Sequence, residues 1–161
     1  MRNNLLKLVV TRKNHKVYKF RPKLFSPFLY KLEPLSVQRR LRFFLEYFKG
    51  YDVYYLEVGT NIVAYCVISL GGGRYSFANK DDIVVGPYFV KQEFRGNRYS
   101  EILLAELLRL NEIEYNHAYT WIHRNNIPSL KCAGKIGFRI INSAYLSKLF
   151  RRICLCSNLE C

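Results

Sequence analysis

The sequence predicts a mixed α/β fold: a mixed sheet with helices on both faces. Two observations predict it. Apolar, β-branched and aromatic runs come as hairpin pairs towards both ends, and through the middle such runs alternate with helical patterns.

The elements follow in order. Leu5 to Thr11 and Lys16 to Phe20 read as short strands about the turn Arg12-Lys13-Asn14-His15, and Arg21-Pro22 ends the second. From Ser36, a fitting N-cap, apolar residues recur at Val37, Leu41, Phe44, Leu45 and Phe48, one face of a helix that stops at Gly50. Phe43 and Tyr47 widen that stripe, while Arg39, Arg40 and Arg42 lie on other faces. Such a helix either packs on a sheet, the expected role, or rests in an anionic membrane interface through residues 36–50.

Asp52 to Val58 and Ile62 to Leu70 form a strand hairpin about Gly59-Thr60-Asn61. Gly71-Gly72-Gly73 is followed by no Lys-Ser/Thr pair and no helix, so it reads as a connection and not as a phosphate loop. Gly86-Pro87 interrupts the strand Ile83 to Val90, and proline within a strand implies a bulge or an edge. A helix over Glu101 to Tyr115, a strand over Ala118 to His123, a short helix over Ile127 to Gly134, and closing strands over Phe138 to Ile141 and Tyr145 to Leu155 complete the chain.

At 161 residues, half of them apolar, the chain suits one domain spanning 1–161. No apolar run approaches the roughly 20 residues that cross a bilayer, and Met1-Arg2-Asn3-Asn4 opens no signal peptide, so a cytoplasmic protein is expected. Five cysteines form no paired C-x-x-C spacing and Cys154 and Cys156 have no histidine nearby, so free thiols and no metal are expected. Residues 1–50 hold thirteen Lys or Arg against Glu33 and Glu46, which places +11 of the chain's +14 in its first third. That field suits an anionic substrate, a membrane surface or nucleic acid, and equally a solvated face.

Two segments carry chemistry. Val90 to Ser100 runs from a strand through a glycine-containing turn into a helix, whose unpaired N–H groups converge where a phosphate would sit. Asn126 to Phe138 is a second helix signature, closed by Gly137-Phe138. Over roughly Asp82 to Ile141 this pair resembles the GNAT superfamily of acyl-coenzyme A dependent N-acetyltransferases. Val90 and Arg95 match the first family pattern, while Arg98 and Ser100 stand where small residues are usual. Asn126, Ser129, Lys135, Gly137 and Phe138 match the second.

The resemblance implies a GNAT-like, mostly antiparallel sheet of about six to seven strands, split between its two central strands, with 82–141 as the acyl-coenzyme A core. It implies acetyl-coenzyme A or another acyl-coenzyme A as co-substrate, held by Phe89, Val90, Arg95, Gly96, Asn97, Arg98, Tyr99 and Ser100. Asn126 and Ser129 would bind the cofactor or simply cap their helix. The Tyr88 amide is likened to the carbonyl-polarising donor. Ala133 occupies the position at which many members carry an acidic tyrosine, which leaves Tyr145, Tyr119 or Cys132 as acid. His123 is the first choice of base, ahead of Asp81, Asp82 and His117. The acceptor is expected to be an anionic amine, such as an amino sugar or nucleotide-linked sugar, met by residues 12–50 and Gly71 to Lys80. Peptide acylation, or a catalytically weak module on membrane or nucleic acid, are the alternatives; no specific nucleic-acid partner is expected.

Overall fold

The computed structural model describes residues 6–110, 114–147 and 152–156. Strands β1 (Leu6–Thr11), β2 (Lys16–Phe20), β3 (Tyr51–Val58), β4 (Asn61–Leu70), β5 (Ile83–Val90) and β6 (Ala118–Tyr119) form one sheet in the order β1-β2-β3-β4-β5-β6. Neighbours are antiparallel except β5 and β6, which are parallel, so the sheet is mixed and mostly antiparallel as expected. The β1–β2 turn closes where Arg12 N–H donates to His15 O at 2.9 Å. The β3–β4 turn needs a left-handed residue, supplied by Gly59 at φ 61°.

Side chains alternate across the sheet, so each face carries its own core. Tyr54, Leu56, Ala64, Cys66, Ile68, Ile83 and Val85 meet Leu103, Leu104 and Leu107 of α2 (Tyr99–Arg109) and Cys132 of α3 (Ile127–Lys135). On the opposite face Val53, Tyr55, Tyr65 and Val67 join Phe20, Phe28 and Phe43, the last from α1 (Val37–Tyr47). A helix of nine to eleven residues is marginal alone, and burial of each such leucine or phenylalanine contributes about 1.5–3 kcal/mol towards holding it.

Four expectations are corrected. The helix expected over Glu101 to Tyr115 runs Tyr99–Arg109, because the chain must turn back: Leu110 is extended, and Asn116 N–H donates to Asp81 O at 2.9 Å to bring β6 beside β5. The strand expected over Ala118 to His123 is two residues long, since β5 offers partners only at Ile83 and Val84. Phe138 to Ile141 is no strand, and Ile140 and Ile141 are exposed. Tyr145 to Leu155 is not one strand but the pair β7 (Ala144–Leu146) and β8 (Ile153–Leu155), a separate antiparallel sheet whose Ile153 packs on Tyr75 and Val84. Cys66, Cys132 and Cys154 are free thiols, whereas Cys156 is disulfide-bonded.

Helix α1 overturns the expected packing more fully. Ser36 caps it as foreseen, its Oγ accepting from Arg39 N–H at 3.3 Å. Its apolar stripe faces away from the sheet, with Val37 82%, Leu41 59%, Leu45 60% and Phe48 71% exposed. Phe43 and Glu46 are buried instead. Phe43 sits edge-on to Phe28 at 4.9 Å, and the charged groups beside it are neutralised within the interface, Arg42 on Glu46 at 2.9 Å and Arg39 on Glu33 at 2.8 Å. Buried charges that are paired and hydrogen-bonded can face a core; unpaired ones cannot.

Candidate active site

The sheet opens between its last two strands. β5 and β6 pair at Ile83↔Ala118 and Val84↔Tyr119 only. Along β4, Cys66 faces Tyr88 while Ile68 faces Val85, so Gly86 and Pro87 together oppose Val67 in a bulge. Gly86 takes φ 124°, and Pro87 has no N–H to offer a neighbour. Beyond the bulge Tyr88, Phe89 and Val90 pair with Cys66, Tyr65 and Ala64, and no described strand pairs with their other edge. An open backbone edge of this kind accepts an extended, amide-bearing chain.

The turn that follows delivers α2 to the mouth of this gap. Lys91 N–H donates to Val63 O at 3.0 Å, one turn of 3-10 helix spans Gln92–Phe94, and Arg95 N–H returns to Gln92 O at 3.2 Å. Gly96 then takes φ 84° and Arg98 φ 58°, both left-handed. Arg98 is the N-cap of α2, yet no side chain caps that start, whereas Ser36 caps α1 and Asn126 caps α3. Ile102 N–H is the first in the helix to donate to a helical carbonyl, that of Arg98 at 3.0 Å. The amides of Tyr99, Ser100 and Glu101 therefore face out of the helix start, where the macrodipole adds roughly half a positive charge.

Side chains frame those amides. Arg95 Nε donates to Val90 O at 3.2 Å, and its guanidinium lies 5.5 Å from the Phe89 ring. Asn97 Nδ2 donates to Phe94 O at 3.2 Å, which shapes the turn. Arg98 is exposed. Ser100 Oγ accepts from Cys132 Sγ at 3.3 Å, tying α2 to α3. Outward-facing main-chain donors at this helix start, with Arg95 and Arg98 in the same turn, form a donor set that fits a diphosphate.

Tyr88 reaches across to α3, its hydroxyl donating to Ser129 O at 3.1 Å, and burial pushes that phenol up to about 12. Asn126 Oδ1 accepts from Ser129 N–H at 3.3 Å, so its side chain serves as the cap. Of the candidate acids and bases, Cys132 is the one held against Ser100. His123 is exposed, its Nδ1 accepting from Asn125 N–H at 3.3 Å in the turn before α3. Tyr145 is 49% exposed on β7, turned away from the neighbours Ala144 and Leu146 that pack on the Tyr75 core. Asp82 is buried at the start of β5, about 20 Å along the strand from Tyr88. Burial would raise its carboxyl, but the Asn79 amide and the ring and amide of His117 outweigh that and hold it below the usual carboxylate range. Asp82 and His117 thus clasp the β5–β6 junction.

Sequence reasoning missed two clusters on the α1 face. Glu33, Arg39 and the Tyr65 hydroxyl form one network, and the Tyr65 ring stacks on Phe89 at 6.1 Å. The other surrounds an open cleft of about 370 Å³ lined by Arg42, Leu45, Glu46, Lys49, Gly73, Arg74 and Arg152. There Arg42 donates to Glu46 at 2.9 Å and to the Tyr75 hydroxyl at 2.8 Å, and Arg152 donates to Gly73 O at 2.8 Å. The signal available in the sequence was Glu33 and Glu46 standing alone among thirteen cations.

No curated protein matches the chain. Among solved structures, an uncharacterized protein from Bacillus halodurans matches with a TM-score of 0.63 at 16% identity, over 93% of this chain and 87% of that one. An aminoglycoside N-acetyltransferase in complex with CoA matches with a TM-score of 0.53 at 13% identity, over 61% and 75%. A ribosomal-protein-alanine N-acetyltransferase from Brucella melitensis matches with a TM-score of 0.51 at 13% identity, over 69% and 79%. These likenesses concern the fold. The model of the acetyltransferase (GNAT) family matches residues 16–138, the stretch that holds the split strand, the uncapped helix start and the second helix, and the chain belongs to that family.

Proposed function

We propose that this chain is an acyl-coenzyme A dependent N-acyltransferase, a single cytoplasmic domain that moves an acetyl or other short acyl group to an amine by direct attack in a ternary complex. The observation that carries this reading is the uncapped start of α2 at the open edge of β5. The amides of Gly96 to Ser100 with Arg95 and Arg98 hold the diphosphate, and the backbone of Tyr88 to Val90 holds the pantetheine arm. The bound thioester supplies the activated acyl group. The Tyr88 amide polarises its carbonyl, a duty that needs a fixed donor and no particular side chain.

The cleft supports an anionic acceptor. Four cations surround one carboxylate there, and the two halves of the expected acceptor side, residues 12–50 and Gly71 to Lys80, contribute Arg42, Lys49, Gly73 and Arg74. The same helix that presents Arg42 and Glu46 to the cleft presents Arg39 to Tyr65 beside Phe89, about 10 Å away along its axis. An acceptor whose anion sits in the cleft and whose amine reaches Phe89 fits that span; phosphorylated or nucleotide-linked amino sugars have this form.

A second reading is favoured by one observation: Ala133, where many family members carry the acidic tyrosine, is a buried methyl on α3. In that reading the fold binds acyl-coenzyme A without efficient turnover. Thiol release from acetyl-coenzyme A, screened against amino sugars, nucleotide sugars, polyamines and peptides, separates the two. Release that requires an acceptor supports the enzyme, and preference for the anionic sugars supports the cleft. Coenzyme A binding with no release from any acceptor overturns catalysis, and release with peptides alone overturns the acceptor assignment.

A further inference from the structure

Most of the outward face of α1 has no part in the acyl-transfer reading; only Leu45 and Lys49 also border the cleft. Val37, Leu41, Leu45 and Phe48 are each more than half exposed there, and Phe25, 86% exposed, lies 6.3 Å from Phe44 at its edge. Phe48 extends the patch through ring contacts with Phe44 at 5.7 Å and Tyr47 at 5.8 Å. A helix in a water-facing protein turns such a stripe inward, because every exposed leucine or phenylalanine forgoes its transfer free energy. This helix turns its arginine pair and Glu46 inward instead.

The charge of residues 1–50 is almost all of one sign. Glu33 and Glu46 are the only acids among residues 1–50, and both are drawn inward onto Arg39 and Arg42. Exposed on or next to the apolar segments are Lys23, two residues before Phe25, Arg40 on the helix and Lys49 just past its end. Arg40 flanks the apolar arc on the helix, and Lys49 follows at its C-terminal end. A second copy of the same face would set its cations against like charges. Nucleic acid would meet the cations but leave the aliphatic side chains unrewarded. An anionic lipid surface satisfies both, with phosphates against the cations and acyl chains against the leucines and phenylalanines.

We propose that α1, with Phe25, docks this protein on an anionic lipid surface, lying in the interface plane. Among the described residues no helix is long and apolar enough to cross a membrane, so the contact is peripheral. Each cation near the surface strengthens partitioning about fivefold. The inference stands apart from the acetyltransferase reading and is tested without turnover.

The experiment is flotation of the full chain with vesicles of phosphatidylcholine alone and of phosphatidylcholine with about one-third phosphatidylglycerol. It is repeated with Val37→Ser/Leu41→Ser and with Arg40→Gln, positions exposed enough to leave the core intact, and circular dichroism with thermal unfolding serves as the check of folding. The expected result is binding at least about tenfold stronger to the anionic vesicles. The serine pair should abolish it, and Arg40→Gln should weaken it about fivefold. Absence of binding, equal binding to neutral vesicles, or binding unchanged by the serine pair overturns the proposal. So does a concentration-dependent dimer that the serine pair dissolves, which would assign the face to a second copy of the chain.

Discussion

Arg98 shows what a single residue of the site does. It stands where the family pattern favours glycine, and its backbone adopts the left-handed conformation that glycine takes freely, at φ 58°. A residue with Cβ pays roughly 1–2 kcal/mol for that. Arg98→Gly is therefore expected to raise unfolding free energy by about 1 kcal/mol in urea denaturation. A destabilised variant would show that the arginine side chain repays the strain. Tyr88 gives the complementary case. If its amide and not its phenol assists acyl transfer, Tyr88→Phe keeps kcat within about threefold, against the roughly hundredfold loss typical of a missing oxyanion donor. The spacing of the motif made these positions legible, because the turn and the helix start depend on local backbone geometry. For acid and base the sequence offers only residue type and strand position; the fold adds that His123 accepts in the turn before α3 and that Tyr145 is half exposed on β7.

At the scale of the element, ion pairs fasten the helices to the sheet. Glu106 of α2 accepts from Arg12 Nε at 3.0 Å and Nη2 at 3.1 Å, binding α2 to the β1–β2 turn. The Arg12 hydrogen bond, against an opposing effect of burial, holds the Glu106 carboxyl below its ordinary 4.5. A depressed carboxyl adds stability above its unfolded value and loses it as pH falls through the folded one. Glu106→Gln should accordingly lower Tm at pH 7, with the difference from the parent chain shrinking as pH falls below the ordinary carboxylate value and vanishing only below the depressed folded one; a difference independent of pH would refute the ion pair. Strands β1 to β5 were legible because alternation and turn residues are local signals. The length of β6 was not, since a strand ends where its partner leaves. Nor was the orientation of α1, because a hydrophobic stripe shows which side is apolar, whereas Phe28, Glu33 and Tyr75 decide which side is held.

At the scale of the whole molecule, α1 joins three surfaces: the network beside Phe89, the cationic cleft, and the outward apolar face that carries the lipid proposal. Neutralising the cleft should affect the acceptor and spare the cofactor. Arg74→Ala or Arg152→Ala is expected to raise KM for an anionic acceptor about tenfold, the size of one charge-assisted hydrogen bond, with coenzyme A affinity unchanged in calorimetry. Everything proposed for catalysis depends on the helix start at the open edge of β5. The direct test is an amide proton–nitrogen NMR titration with coenzyme A. Saturable shifts concentrated at Tyr88 to Val90 and Gly96 to Glu101 are predicted; amides that stay in place there, or move only around the cleft, would contradict the account.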